Sequence, residues 1–200
     1  MRISNPNVRR ASGGSQACVS FRDRPWFTTD GAATWVFDRR DLDKILKNWN
    51  REVSWGQFSI GEKDPGATTR MRRAPAKPIQ LYLRRTRAPK NGTCRVLYHG
   101  VGADEPGLKA IARGRCRGVG YDKYPKKRSH GRKPTGKFNE IFSIFTLNTV
   151  TERQARQILR DIRSHLKAGG RAVVATRRGR PVCEGLLPRS YAARPVYRDR

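Results

Sequence analysis

A chain of 200 residues is long enough for one real core and an appendage, and 44 Lys plus Arg against 16 Asp plus Glu leave it a formal charge of +28 and a pI near 11.3. That field attracts polyanions and makes their binding strongly salt dependent, although it says nothing about fold. No apolar run reaches the roughly 18 residues of a membrane span, and Met1-Arg2-Ile3-Ser4-Asn5-Pro6 lacks the apolar stretch of a secretory signal.

From Met1 to about Thr34 the chain is rich in Ser, Gly, Asn, Pro and Arg without a sustained period, and it reads as an irregular extension. A short helix follows, with Asp41 as its cap and Leu42, Ile45, Leu46 and Trp49 at the spacing of a buried stripe. Between Asp64 and Asp104 nine basic residues and no acid occur, Arg72, Arg73, Arg84 and Arg85 among them. Within that stretch a helix is expected from about Pro78, packing Ile79, Leu81 or Tyr82, and Leu83, and exposing arginine.

Beyond residue 93 the pattern becomes regular. Arg95-Val96-Leu97-Tyr98-His99 reads as a buried strand, Gly100-Val101-Gly102-Ala103-Asp104 as a tight turn, and 106–113 as a helix stopped by Gly114. Val119-Gly120-Tyr121 makes a second strand that ends in Asp122. A loop over 123–137 carries seven Lys or Arg, including Lys126, Lys127, Arg128, Arg132 and Lys133, with no acid. Ile141-Phe142-Ser143-Ile144-Phe145-Thr146-Leu147 is apolar enough to be buried on both faces of a parallel sheet. Thr151 and Gln154 form a capping box, and Ala155, Ile158, Leu159, Ile162 and Leu166 make the inward stripe of a long helix. Gly169-Gly170 is expected to end that helix before a final strand, Arg171-Ala172-Val173-Val174-Ala175-Thr176. The division expected is an irregular extension over 1–34, a basic helical or irregular segment over 35–92 packing on the core, and an α/β core over 93–200 closed by a short hairpin.

A glycine turn between strand and helix lets backbone approach a ligand. Gly100 and Gly102 supply the turn, and Asp122 stands 20 residues past Gly102, the offset at which an acid accepts ribose hydroxyls. That combination points to an adenosine-containing ligand. A dinucleotide fingerprint requires G-x-G-x-x-G, whereas position 105 is Glu105. Asp104 and Glu105 would repel a pyrophosphate but suit a cationic ligand. The four cysteines, Cys18, Cys94, Cys116 and Cys183, form no C-x-x-C pair and adjoin no histidine cluster. They read as reduced thiols of a cytoplasmic protein with no metal site, and Cys183 as a packed thiol.

Taken together, Val96 to Asp104, Val119 to Asp122, Phe138 to Val150 and His165 to Ala172 resemble successive motifs of class I S-adenosylmethionine-dependent methyltransferases. The likeness is to small phage and bacterial members with an H-G-x-G-x-D turn and a T-L-N-x-V segment, and spans roughly 85 of the 200 residues. The resemblance implies a Rossmann-like, mostly parallel sheet with helices on both faces, and a cytoplasmic location, that of the host if phage-encoded. It implies S-adenosylmethionine as cofactor, with Gly100, Val101, Gly102 and Asp104 near the methionine moiety, Asp122 on the ribose, and Leu147 and Asn148 near the adenine or the transferred methyl. His99 and Asn148 are the candidate catalytic residues. The chain departs from the family in having Tyr98-His99 where many members carry an acid, and in lacking a third glycine after Gly102.

The expected activity is methyl transfer to a polyanion, nucleic acid foremost, recruited by Arg72, Arg73, Arg84, Arg85, Lys126, Lys127, Arg128, Arg132 and Lys133 and by the arginine face of the 151–167 helix. No D/N-P-P-Y/F segment supports a base-amino target. The competing expectation is a nucleic-acid-binding protein that keeps a methyltransferase fold without turnover. A methyltransferase of proteins or small molecules is a third.

Overall fold

The computed structural model describes residues 16–29, 31–58, 72–87, 94–125 and 127–177. In chain order these form β1 (Gln16–Phe21), β2 (Phe27–Thr29), β3 (Ala32–Phe37), α1 (Arg39–Lys47), α2 (Trp49–Glu52), β4 (Val53–Phe58), α3 (Lys77–Arg85), β5 (Cys94–His99), α4 (Glu105–Ile111), β6 (Cys116–Tyr121), β7 (Phe138–Ile144), α5 (Glu152–His165) and β8 (Leu166–Arg177). Short 3-10 turns occupy Arg128–Gly131 and Thr146–Thr149.

Six strands make one sheet in the order β2-β3-β8-β7-β5-β6. β6, β5, β7 and β8 run parallel, β3 is antiparallel to β8, and β2 is antiparallel to β3. The protein is therefore an α/β fold with a mostly parallel central sheet flanked by helices. Alternate side chains of the strands enter two cores. Leu97, Ile141, Ala172 and Val174 face α1, α5 and the β1–β4 pair, whereas Val96, Phe142, Val173 and Ala175 face α3 and α4. Burial on both faces explains why these strands read as nearly continuous apolar runs.

Several expectations are corrected. The N-terminal region is not irregular from residue 16 onward: β1, β2 and β3 fall there, and β3 pairs with β8 from Ala32 opposite Arg177 to Phe37 opposite Ala172. Segments 135 to 145 residues apart in sequence thus share one sheet. The start of α1 is capped by Asp38, whose side chain accepts from Asp41 N–H at 2.9 Å while Asp41 accepts from Asp38 N–H at 2.9 Å, so Asp41 is the reciprocal member of the box. β7 begins and ends three residues earlier than expected. α5 stops at His165, and Leu166 opens β8; Gly169, at φ +71°, and Gly170 lie where the β7–β8 register shifts. A Cβ on Gly170 would lie 2.9 Å from Asn139 O, so these glycines serve a strand irregularity rather than a helix stop.

Cys94 and Cys116, expected as thiols, are joined by a disulfide. They are direct partners on β5 and β6, 4.2 Å apart at Cα. The expected C-terminal hairpin and Cys183 lie outside the described residues. Among the described residues no helix is long and apolar enough to cross a membrane, and no cluster of three His, Cys, Asp or Glu could hold a metal ion.

Candidate functional site

From β5 the chain passes through α4 to β6 on one side and then returns to β7 on the other. The strand order therefore reverses between β5 and β7, and in open α/β sheets the loops at the carboxyl ends diverge at such a point and leave a crevice. A cavity of about 230 Å³ lies there, walled by the turn after β5, the ends of β6 and β7, and α5.

The turn after β5 folds as its glycines predict. Gly100 and Gly102 have φ +75° and +53°. Gly100 N–H donates to Tyr121 O at 2.7 Å, tying the turn to the end of β6. A Cβ on Gly100 would fall 2.3 Å from Thr146 Oγ1, so glycine is required here by packing as well as by φ. Gly102 N–H donates to Asp122 Oδ2 and Tyr124 N–H to Asp122 Oδ1, both at 2.8 Å. The sequence offset of 20 thus becomes a contact. Each Asp122 oxygen keeps a further lone pair, and the side chain is half-buried at the cavity wall.

Asp104 is more committed. Its Oδ1 accepts from Gly107 N–H at 2.9 Å, capping α4, and its Oδ2 accepts from the Tyr98 hydroxyl at 2.9 Å. Burial, with the adjacent Asp104 carboxylate, pushes the Tyr98 phenol well above its ordinary pKa and keeps it a donor. The start of α4 is filled by a carboxylate, which leaves no seat for a phosphate there.

His99, the last residue of β5, lines the cavity and is 6% exposed. Its ring meets Tyr121 edge-on at 5.2 Å between centroids, and neither ring nitrogen has a hydrogen-bond partner. Burial pulls its pKa from 6.5 to about 4 against the opposing charge of Asp161, so the imidazole is neutral near pH 7. A buried polar ring facing a cavity can meet a ligand's donor or acceptor.

Leu147 and Asn148 do not line the cavity, contrary to expectation. Leu147 is fully buried in the core beneath α5. Asn148 donates from Nδ2 to Ala17 O at 2.7 Å and accepts at Oδ1 from Arg177 N–H at 3.0 Å, stitching β1 to the end of β8. β7 ends at Ile144, which brings Phe145 and Thr146 to the wall instead. Phe145 has φ +61°, the one positive value among described non-glycine residues. That conformation is strained for an aromatic residue, and such strain gathers at ligand sites. From α5 come Gln154, Gln157 and Asp161, and from β6 Tyr121. Sequence reasoning missed these because the faces they present are set by how α5 and β6 dock.

The charged groups lining the cavity are Arg72, Lys123 and Arg177 against Asp104, Asp122 and Asp161. A formally balanced cavity inside a chain of charge +28 is a local departure from the global field.

The basic residues divide. Arg72 lines the cavity, and Lys127, Arg128, Arg132 and Lys133 are exposed on the loop beside it, where Asp122 N–H donates to His130 O at 2.8 Å. Lys127 pairs with Glu105 at 3.1 Å. Arg73 is exposed, and Arg84 and Arg85 end α3 outside the cavity lining, with Arg85 over the Phe27 ring. The arginine face of α5 is partly used internally: Arg163 grips Asp43 through two bonds of 2.8 and 3.0 Å, and Arg156 bonds Glu152 at 2.7 Å. Lys126 lies outside the described residues. No protein family, curated protein or solved structure matches this chain.

Proposed function

We propose that this protein is an S-adenosylmethionine-dependent methyltransferase built on a Rossmann-like sheet and acting on a nucleic acid. The observation that carries the reading is the junction of Gly102 N–H with Asp122 Oδ2 at the strand-order reversal, with His99 unpartnered beside it.

The residues present fit such a cofactor on three counts. The lone pairs of Asp122 not used by Gly102 and Tyr124 can accept ribose hydroxyls. His99 offers a neutral ring to an amino or carboxylate group. The balanced charge of the lining suits a ligand that carries both signs, whereas the capped start of α4 disfavours a pyrophosphate.

When bound, S-adenosylmethionine supplies a methyl group activated by a sulfonium centre. The chain's part is to position and to dry the site. Backbone at Gly100 to Gly102 forms the floor, Phe145, Val150 and Ile158 exclude water, and Asp161 and Gln157, themselves bonded at 3.0 Å, mark the polar side. Arg72 and Lys123 at the cavity, with the exposed cations of the 123–137 loop, hold phosphates.

One observation favours a second reading, a nucleic-acid-binding protein without turnover: Asp104 and Asp122 already accept hydrogen bonds within the chain at both oxygens. Isothermal titration with S-adenosylmethionine and S-adenosylhomocysteine, after high-salt removal of nucleic acid, separates the two. Micromolar binding supports the enzyme; no heat at millimolar ligand favours the scaffold.

A further inference from the structure

We propose that the cavity mouth is a binding site for single-stranded nucleic acid, with one base stacked on Tyr124. This deepens the proposed function by naming the form of its substrate, and rests on that reading for the chemistry but not for the binding.

Two large apolar side chains are conspicuously exposed among the described residues, Trp26 and Tyr124, each at 42%. Trp26 leans on Phe27 and Tyr82, both 5.4 Å away between centroids, as a lid over the core on the α3 side. Tyr124 lines the cavity, with the Lys123 ammonium 5.5 Å from its ring centre. Its backbone is fixed by the bond from its N–H to Asp122 Oδ1. An exposed aromatic ring at a cavity, on a backbone fixed by a hydrogen bond and flanked by a cation, is the local arrangement that stacks a base.

The surrounding charge has the matching layout. The turn Arg128–Gly131 is seated by Asp122 N–H on His130 O and by the buried His130 ring, which lies where a Cβ on Gly120 would have to be. It therefore presents the exposed Arg128, with Arg132 and Lys133 following it, from a fixed turn, while Arg72, Lys123 and Arg177 are the basic residues that line the cavity itself. Lys123 adjoins Tyr124 at the cavity and further exposed cations follow on the same loop, while the lining is balanced. Phosphates suit the first environment and an uncharged base the second. A duplex satisfies the cations alone, because its bases are paired and stacked and each one exposed must first be unpaired.

The test is fluorescence anisotropy of the full chain with a labelled mixed-sequence oligonucleotide, as DNA and as RNA, single-stranded and annealed, over a range of salt. The wild type is expected to bind single strands at least about tenfold tighter than duplex, since stacking adds to the phosphate term. Tyr124→Ala should weaken single-strand binding on the order of tenfold or more and leave duplex binding unchanged, Tyr124→Phe should retain it, and Trp26→Ala should have no effect. Replacing Arg128 and Arg132 with Ala should lower the salt slope by on the order of one to two, with the single-strand preference kept.

Equal affinity for the two forms, an unaffected Tyr124→Ala, or an equal loss in Trp26→Ala would overturn the proposal. Calorimetry of Tyr124→Ala with S-adenosylmethionine completes the test. Retained cofactor binding with lost oligonucleotide binding supports the platform, and the converse assigns Tyr124 to the cofactor and overturns it. A wild type that prefers single strands but binds no cofactor overturns the methyltransferase reading alone.

Discussion

At the amino ends of β5 and β6 the chain is closed by a covalent bond between Cys94 and Cys116, and the Arg95 guanidinium lies 4.6 Å over the Phe138 ring while donating to Thr135 O at 3.0 Å. At the carboxyl end of β5 stand His99 with two unpartnered nitrogens and Gly100 and Gly102 with positive φ, and at that of the neighbouring β7 stands Phe145, strained at φ +61°. One end spends its interactions on itself. The other leaves polar groups unsatisfied and backbone strained, and the cavity is found there. Free energy that could have stabilised the fold is left uncollected where a ligand can use it.

This contrast can be broken most forcefully at Gly100. Gly100→Ala combines a φ of +75° with a Cβ 2.3 Å from Thr146 Oγ1, and should destabilise the protein by about 3–4 kcal/mol, read as a lower urea midpoint. A midpoint near wild type would mean that the turn after β5 relaxes freely and is not a fixed floor. At the closed end, Cys94→Ser with Cys116→Ser removes a crosslink of sequence separation 22 and should cost about 3 kcal/mol while leaving S-adenosylmethionine affinity intact. A matching loss of affinity would show that the two ends are not independent.

His99 sharpens the comparison through pH. Its folded pKa, about 4, lies below the 6.5 of the free side chain, so between these values the unfolded chain holds the extra proton. Stability from this residue is full above pH 6.5 and falls as the pH drops towards 4, by at most on the order of 3 kcal/mol. Urea midpoints of His99→Gln should show a flatter acid limb than wild type; the same limb in both would place the titration elsewhere. The smallest effect is local to the ligand. Asp122→Ala should weaken S-adenosylmethionine binding by about 1.5–3 kcal/mol in calorimetry, and an unchanged affinity removes Asp122 from the site.

Where local pattern and tertiary demand coincide, the chain can be read directly. The capping box of Thr151 and Gln154, the burial of Ile79 in α3, the Gly100–Gly102 turn and the offset to Asp122 were all legible, whereas the choice of Tyr82 over Leu81 was not. β3 was not, because Ala32-Ala33-Thr34-Trp35-Val36-Phe37 is buried on nearly every residue and shows no alternation. The Asp30-Gly31 dipeptide before it was a hairpin signal, and β2 does pair antiparallel with β3, with Gly31 at φ +84°. The cysteine pairing was illegible for another reason: Cys94 and Cys116 meet only once β5 and β6 are aligned in parallel.

The amino-acid sequence by itself determined the α/β alternation, the glycine turn, the acid after β6 and the basic loop, since each depends on residues near one another in the chain. Only the tertiary structure decided that β3 completes the sheet, that Asn148 and Leu147 serve the framework, and that His99, Phe145 and Asp161 share a cavity. Those assignments depend on which strands neighbour one another and where each ends, and a register shift of a single residue reverses which face a side chain presents.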